Sequence, residues 1–173
     1  GNYTDDIVLP GMTHGIFVRS PYAHAKINAI DTAAAQKMPG VVAIFTGADL
    51  ADVNGVPCGW QVNFKSGDTM KEPKHPLLAH GKALHVGDPV ALVIAETREQ
   101  AKDAADAVEV DYEELPAVTN PVAATQAGAP LVHDLAPGNI AFDWELGNPK
   151  AEVDAALAAA AHVTTLEFVN QRM

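Results

Sequence analysis

The chain has 173 residues, enough for one domain or for one domain and the start of another. Apolar residues make up 48 % and aromatics only 6 %, so a core would be built mainly of Val, Ile, Leu and Ala. Twenty-two acidic against eleven basic residues give a net charge of −11, which argues against a nucleic-acid partner and disfavours an anionic membrane surface.

Leu9-Pro10-Gly11 is a turn signal, and His14 to Ser20 reads as a strand that Pro21 interrupts. Lys26 to Asp31 alternates polar and apolar residues, the pattern of a half-buried strand. Asp31-Thr32 caps a short helix over Ala33–Lys37, which Pro39-Gly40 stops. Val41 to Thr46 is a continuous apolar run and predicts a buried strand. Gly47 to Leu84 has no sustained period and reads as a long surface loop.

Val90 to Ala95 predicts a second buried strand. Thr97-Arg98-Glu99-Gln100 fits a capping box, with Ala101, Ala104, Ala105 and Val108 following at helical spacing. That small-residue face lets the helix sit close on the strand Val90–Ala95. Val108 to Tyr112 alternates as a strand and Leu115-Pro116 ends it. Residues 117–139 carry Pro121, Pro130 and Pro137 and read as a wrapping linker. Ile140 to Leu146 predicts a short strand. Asn148 caps a last helix with Pro149 in its first turn and Val153, Ala156, Leu157 and Ala160 on one face. Val163 to Val169 predicts the start of a strand. Strand, helix and strand follow one another over 25–46 and again over 89–112, a spacing that suits crossover units packed on one sheet.

Five segments, in order, carry a resemblance. They are Gly1-Asn2-Tyr3-Thr4-Asp5-Asp6-Ile7 with Leu9-Pro10-Gly11-Met12, then Arg19-Ser20-Pro21-Tyr22-Ala23-His24-Ala25. Pro39-Gly40-Val41-Val42-Ala43 with Thr46-Gly47-Ala48-Asp49-Leu50 follows. Val86-Gly87-Asp88-Pro89-Val90-Ala91 and Val110-Asp111-Tyr112-Glu113-Glu114-Leu115-Pro116 complete the set. Together they resemble the front of the large subunit of the molybdenum hydroxylases, the family of xanthine dehydrogenase, aldehyde oxidase and aerobic carbon monoxide dehydrogenase. The ending Asn170-Gln171-Arg172-Met173 looks most like the carbon monoxide dehydrogenase-like branch.

The resemblance implies an α+β fold of the α/β hammerhead type, a mixed β-sheet with short helices packed on it. It implies a hammerhead domain over residues 1–118, a wrapping linker over 119–147, and the start of the following molybdopterin-binding domain over 148–173. The expected role is that of a non-catalytic scaffold segment. The parent enzyme would oxidise carbon monoxide, an aldehyde or an N-heterocycle with water-derived oxygen. Molybdopterin is implied for the parent and no cofactor for this segment. The implied partners are iron–sulfur and FAD-binding subunits or domains, with a homo-oligomer through an exposed C-terminal strand as a further expectation. In the family the active-site glutamine, the glycine-rich pterin loop and the catalytic glutamate lie downstream of the position matching Met173, so no catalytic, cofactor-binding or metal residue is assigned. The rival reading is a stand-alone binding or assembly module of the same fold with no redox role.

The residue chemistry is in keeping with that assignment. The single cysteine, Cys58, excludes an internal disulfide or a multi-cysteine metal site on this chain and lacks a neighbouring base. Of the seven histidines, His75, His80 and His85 recur at five-residue intervals, without the helical spacing of a zinc site. Ser20 stands in Arg-Ser-Pro rather than in a nucleophile elbow. Asp111, Glu113 and Glu114 read as a solvated strand end. Arg19, Tyr22 and His24 read as a structural turn, with a subunit contact as the alternative. No apolar run is long enough to span a membrane, and the first six residues lack the pattern of a signal peptide, so a cytoplasmic location is expected.

Overall fold

The computed structural model describes residues 1, 3–53 and 55–169. Among these, six strands form two three-stranded antiparallel sheets. The first sheet has the order β1 (His14–Arg19), β5 (Pro89–Ala95), β3 (Val41–Thr46); the second has β4 (Lys82–Ala83), β2 (Ala25–Asp31), β6 (Glu109–Glu114). Helices α1 (Arg98–Asp106), α2 (Pro121–Ala124) and α3 (Lys150–Ala158) follow in chain order. The class is α+β, as expected.

The single mixed sheet is a correction. β2 and β3 flank one short helical turn yet lie in different sheets, and so do β5 and β6 on either side of α1. The two strand–helix–strand runs are therefore links between sheets and not crossovers within one. Every pairing is antiparallel. Sequence alternation specifies which face of a strand is buried but not which strand lies beside it.

α1 is built as its sequence predicts. The Thr97 hydroxyl accepts from the Gln100 amide at 3.2 Å, and the Gln100 side chain accepts from the Thr97 amide at 3.1 Å. Ala101, Ala104 and Ala105 are buried. Val93 packs with Ala104, Ala105 and Val108, and Ile16, Val18, Val41 and Ile44 close around them. Ile30 of β2 and Val110 of β6 join the same cluster, so one core ties both sheets to α1. Small alanines let the helix backbone approach the sheet where longer side chains would not fit.

Other expectations need adjustment. β3 is not buried on both faces: Val42 and Phe45 are exposed, because only one face of its sheet meets α1. The run 33–37 forms a single 3₁₀ turn, Ala35–Lys37, entered by an Ala33 amide bond to the Asp31 carboxylate at 2.8 Å. The cap of α3 is Pro149 rather than Asn148, and the α3 face with Val153 and Leu157 is exposed. Val163 to Val169 and Ile140 to Leu146 form no strand. β-propensity alone cannot hold a strand that has no ladder partner.

The stretch 47–84 is partly buried. Val62, Leu78 and Ala79 are inside, and the Ala79 amide donates to the Pro89 carbonyl at 2.7 Å. Its middle docks on the segment after α2. The amides of Lys65 and Lys71 donate to the carbonyls of Asp143 and Ala141, and Trp60 meets Trp144 edge-on at 5.6 Å.

Candidate functional site

Two of the segments singled out in the sequence, 19–25 and 86–91, meet where β1 and β5 leave the first sheet. The Ser20 amide donates to the Asp88 carbonyl at 2.9 Å, and the Gly87 amide donates back to the Ser20 carbonyl at 2.8 Å. Arg19 Nη1 donates to the Gly87 carbonyl at 2.8 Å. Gly87 has φ +86°, a conformation that L-residues rarely adopt, and this turn aims its carbonyl at Arg19. The Asp88 side chain, buried beneath the turn, accepts from the Leu84 amide at 2.9 Å and stands 3.7 Å from His85 Nδ1.

The second half of the joint reaches the other sheet. The Ser20 hydroxyl lies 3.1 Å from both the amide and the carbonyl of Tyr22, an internal turn bond. Tyr22 packs on Tyr112 of β6, ring centres 5.2 Å apart. His24 is buried, and its Nδ1–H donates to the Pro116 carbonyl at 2.9 Å. Buried His24 Nε2 and Tyr112 Oη have no hydrogen-bond partner among the described residues. Burial pushes the Tyr112 hydroxyl up, partly offset by the Ser20 hydroxyl nearby. The Ser20, Tyr22 and His24 contacts are a structural turn, because each polar group that finds a partner spends it on the backbone.

The remaining candidates are scattered. The His75 carbonyl accepts from the Val56 amide, His80 lines a surface groove, and His85 faces Asp88. Among the described residues no three His, Cys, Asp or Glu side chains converge in a way that could hold a metal. Cys58 is exposed, with its thiol donating to the Trp60 carbonyl. Glu113 pairs with Lys26 at 2.8 Å across β2 and β6, and Asp111 and Glu114 face solvent. The groove at His80 holds about 670 Å³ and has Lys74, Lys82 and His133 on its walls. Desolvation holds His133 below the usual histidine value, opposed by Asp134 and reinforced by Lys82, His24 and His75. Asp88 stood within the segment 86–91 and His133 among the seven histidines, without a role read for either side chain. The turn at Gly87 was the signal available for Asp88, and nothing local marks His133.

The amino-acid pattern of residues 1–116 matches the family model described as "Aldehyde oxidase and xanthine dehydrogenase, a/b hammerhead domain". The chain belongs to this family. It is 39 % identical, over its whole length, to the carbon monoxide dehydrogenase large chain of Afipia carboxidovorans, of which it covers 22 %. It is 38 % identical over 95 % of its length to the nicotine 6-hydroxylase large subunit of Paenarthrobacter nicotinovorans, covering 19 % of that chain. Among solved structures, reconstituted CO dehydrogenase from Oligotropha carboxidovorans superimposes with a TM-score of 0.72 at 39 % identity, over 94 % of this chain and 20 % of that one. Quinoline 2-oxidoreductase from Pseudomonas putida 86 gives a TM-score of 0.66 at 44 % identity, over 75 % of this chain and 16 % of that one. The chain thus spans about a fifth of the curated relatives it matches. The matched residues 1–116 contain both interlocked segments, 19–25 and 86–91.

The family implies a molybdenum cofactor, and the residues described here do not fit it. A pterin carries its own sulfur ligands for the metal and asks the protein for an enclosing pocket with clustered backbone donors. The grooves here are open surface features, and neither of the orphaned atoms, His24 Nε2 and Tyr112 Oη, belongs to a residue lining them. No helix among the described residues is long and apolar enough to cross a membrane.

Proposed function

We propose that the chain serves as the hammerhead scaffold domain of a molybdenum hydroxylase large subunit and carries out no chemistry itself. In this reading residues 1–118 are the domain, 119–147 a linker, and 148–173 the entry to a molybdopterin-binding domain. The whole enzyme oxidises carbon monoxide, an aldehyde or an N-heterocycle, taking oxygen from water and passing electrons to iron–sulfur and FAD-binding partners. Its setting is the cytoplasm. One observation carries the reading: identity of 39 % persists over the whole chain against a carbon monoxide dehydrogenase large chain, of which the chain covers 22 %.

The contribution of the chain's own residues is positional. The Ser20–Asp88 joint and the α1 core tie the two sheets into one body on which a neighbouring domain can be held. Leu166, Phe168 and Val169 are exposed and give a surface on which a second copy would pair. The test is the coding sequence beyond Met173 together with the activity of its full product. A long continuation whose purified product reduces a dye acceptor with carbon monoxide, an aldehyde or an N-heterocycle is expected. A stop codon at that point, with the chain purified alone as a folded protein, would overturn the reading in favour of a stand-alone module.

A further inference from the structure

Among the described residues β1 pairs with β5 on one side only, which leaves its other edge open. The Ser20 amide and carbonyl are spent on Asp88 and Gly87, and in the alternation of an antiparallel ladder the backbone groups of Arg19 and Phe17 then turn to the open side. Two grooves of about 370 and 470 Å³ run along this edge and share Ile16 and Arg98, forming one trough from Met12 to Arg19. α1 forms the far wall of the trough.

The charge of this trough is opposite to that of the molecule. On a chain of net charge −11 with three arginines, the two described ones, Arg19 and Arg98, both line it. Neither makes an ion pair among the described residues. The Arg19 guanidinium lies over the Phe17 ring, 5.3 Å from its centre, which leaves the positive charge on the rim. Lys102 also lines the trough and is neutralised by Asp106 at 2.7 Å; Asp5 stands at the opposite end. The floor is apolar, from Ile16, Val18 and Ala105.

We propose that the open edge of β1 is a docking slot for an extended, acidic segment of a partner polypeptide, which adds to the first sheet as a fourth strand. Main-chain bonds would supply the affinity, and Arg19 and Arg98 would select carboxylates on the guest. A second copy docking through its own β1 would bring no carboxylate to Arg19 and Arg98, because His14–Arg19 contains none. This inference concerns a surface and does not rest on the redox reading.

The test titrates the 173-residue chain into a fluorescent, end-blocked peptide of about eight residues, the length of one strand, alternating valine and glutamate. Three controls accompany it: the valine–lysine counterpart, the valine–glutamate peptide N-methylated at alternate positions, and the Arg19→Glu/Arg98→Glu double variant. Saturable binding is expected, with amide shifts confined to residues 14–19 and the exposed side of α1. The double variant should weaken it roughly tenfold or more, and the lysine and N-methylated peptides should not bind. Variant folding is checked by the unchanged amide spectrum of β2 and β6. Equal binding of the N-methylated peptide would show charge attraction without strand addition and overturn the proposal. So would shifts that map elsewhere, no saturable binding, or sedimentation showing a β1-dependent dimer.

Discussion

Asp88 and Ser20 are held together from both ends of one turn: the Ser20 amide reaches the Asp88 carbonyl at 2.9 Å while the Asp88 carboxylate holds the Leu84 amide at the same distance. Asp88→Ala should leave the half-buried Leu84 amide unsatisfied and cost ~1–3 kcal/mol. Asp88→Asn keeps an acceptor oxygen and should recover much of that loss. Urea midpoints of the two variants check this; equal midpoints for both would mean that the carboxylate does not hold the turn.

The alanine seam of α1 is closely packed, with Ala104 fully buried against Val93. Ala104→Leu should overpack it and cost ~1–3 kcal/mol. An unchanged melting temperature would say that the seam is loose.

Gly40 has φ +77°, and a Cβ there would run into the Gln100 side chain that caps α1. Gly40→Ala should cost ~1–2 kcal/mol from backbone conformation alone, with steric crowding added. In a double-mutant cycle with Gln100→Ala the two costs should sum to more than the double variant loses, because removing Gln100 frees the space. Strict additivity would contradict the contact.

His133 titrates below the usual histidine value in the folded chain, mainly through desolvation. Between that lowered value and the ordinary 6.5, the unfolded chain binds more protons than the folded one. Stability should therefore rise with pH through this window and fall as pH drops through it. His133→Asn should flatten that part of the stability profile, which chemical denaturation at a series of pH values reads directly. An unaltered slope in the variant would assign the pH dependence to other groups.

What could be read from the chain follows the range of the interactions. The capping box of Thr97 and Gln100 and the buried alanines of α1 are contacts within one or two helical turns, so the residues themselves specify them. The partition into two sheets depends on β2 meeting β6 and β1 meeting β5, pairings between distant segments that no local pattern encodes. The burial of Leu78 and Ala79 within an aperiodic stretch was invisible for the same reason. The strand expected over Val163 to Val169 had the composition of a strand and lacks a neighbour. At the joint, the residues 19–25 and 86–91 stood out as segments, but their mutual bonding is a product of the fold. The expectation placed on Asn170 to Met173 lies outside the described residues.

The central claim is that this domain positions chemistry performed elsewhere in a larger subunit. Elemental analysis of two preparations tests it most directly: the full-length product of the gene with its co-purifying partners, and the 173-residue chain alone. The account predicts stoichiometric molybdenum in the first, and neither molybdenum nor iron in the second. Stoichiometric molybdenum bound to the 173-residue chain, or a folded full-length product without any, would contradict it.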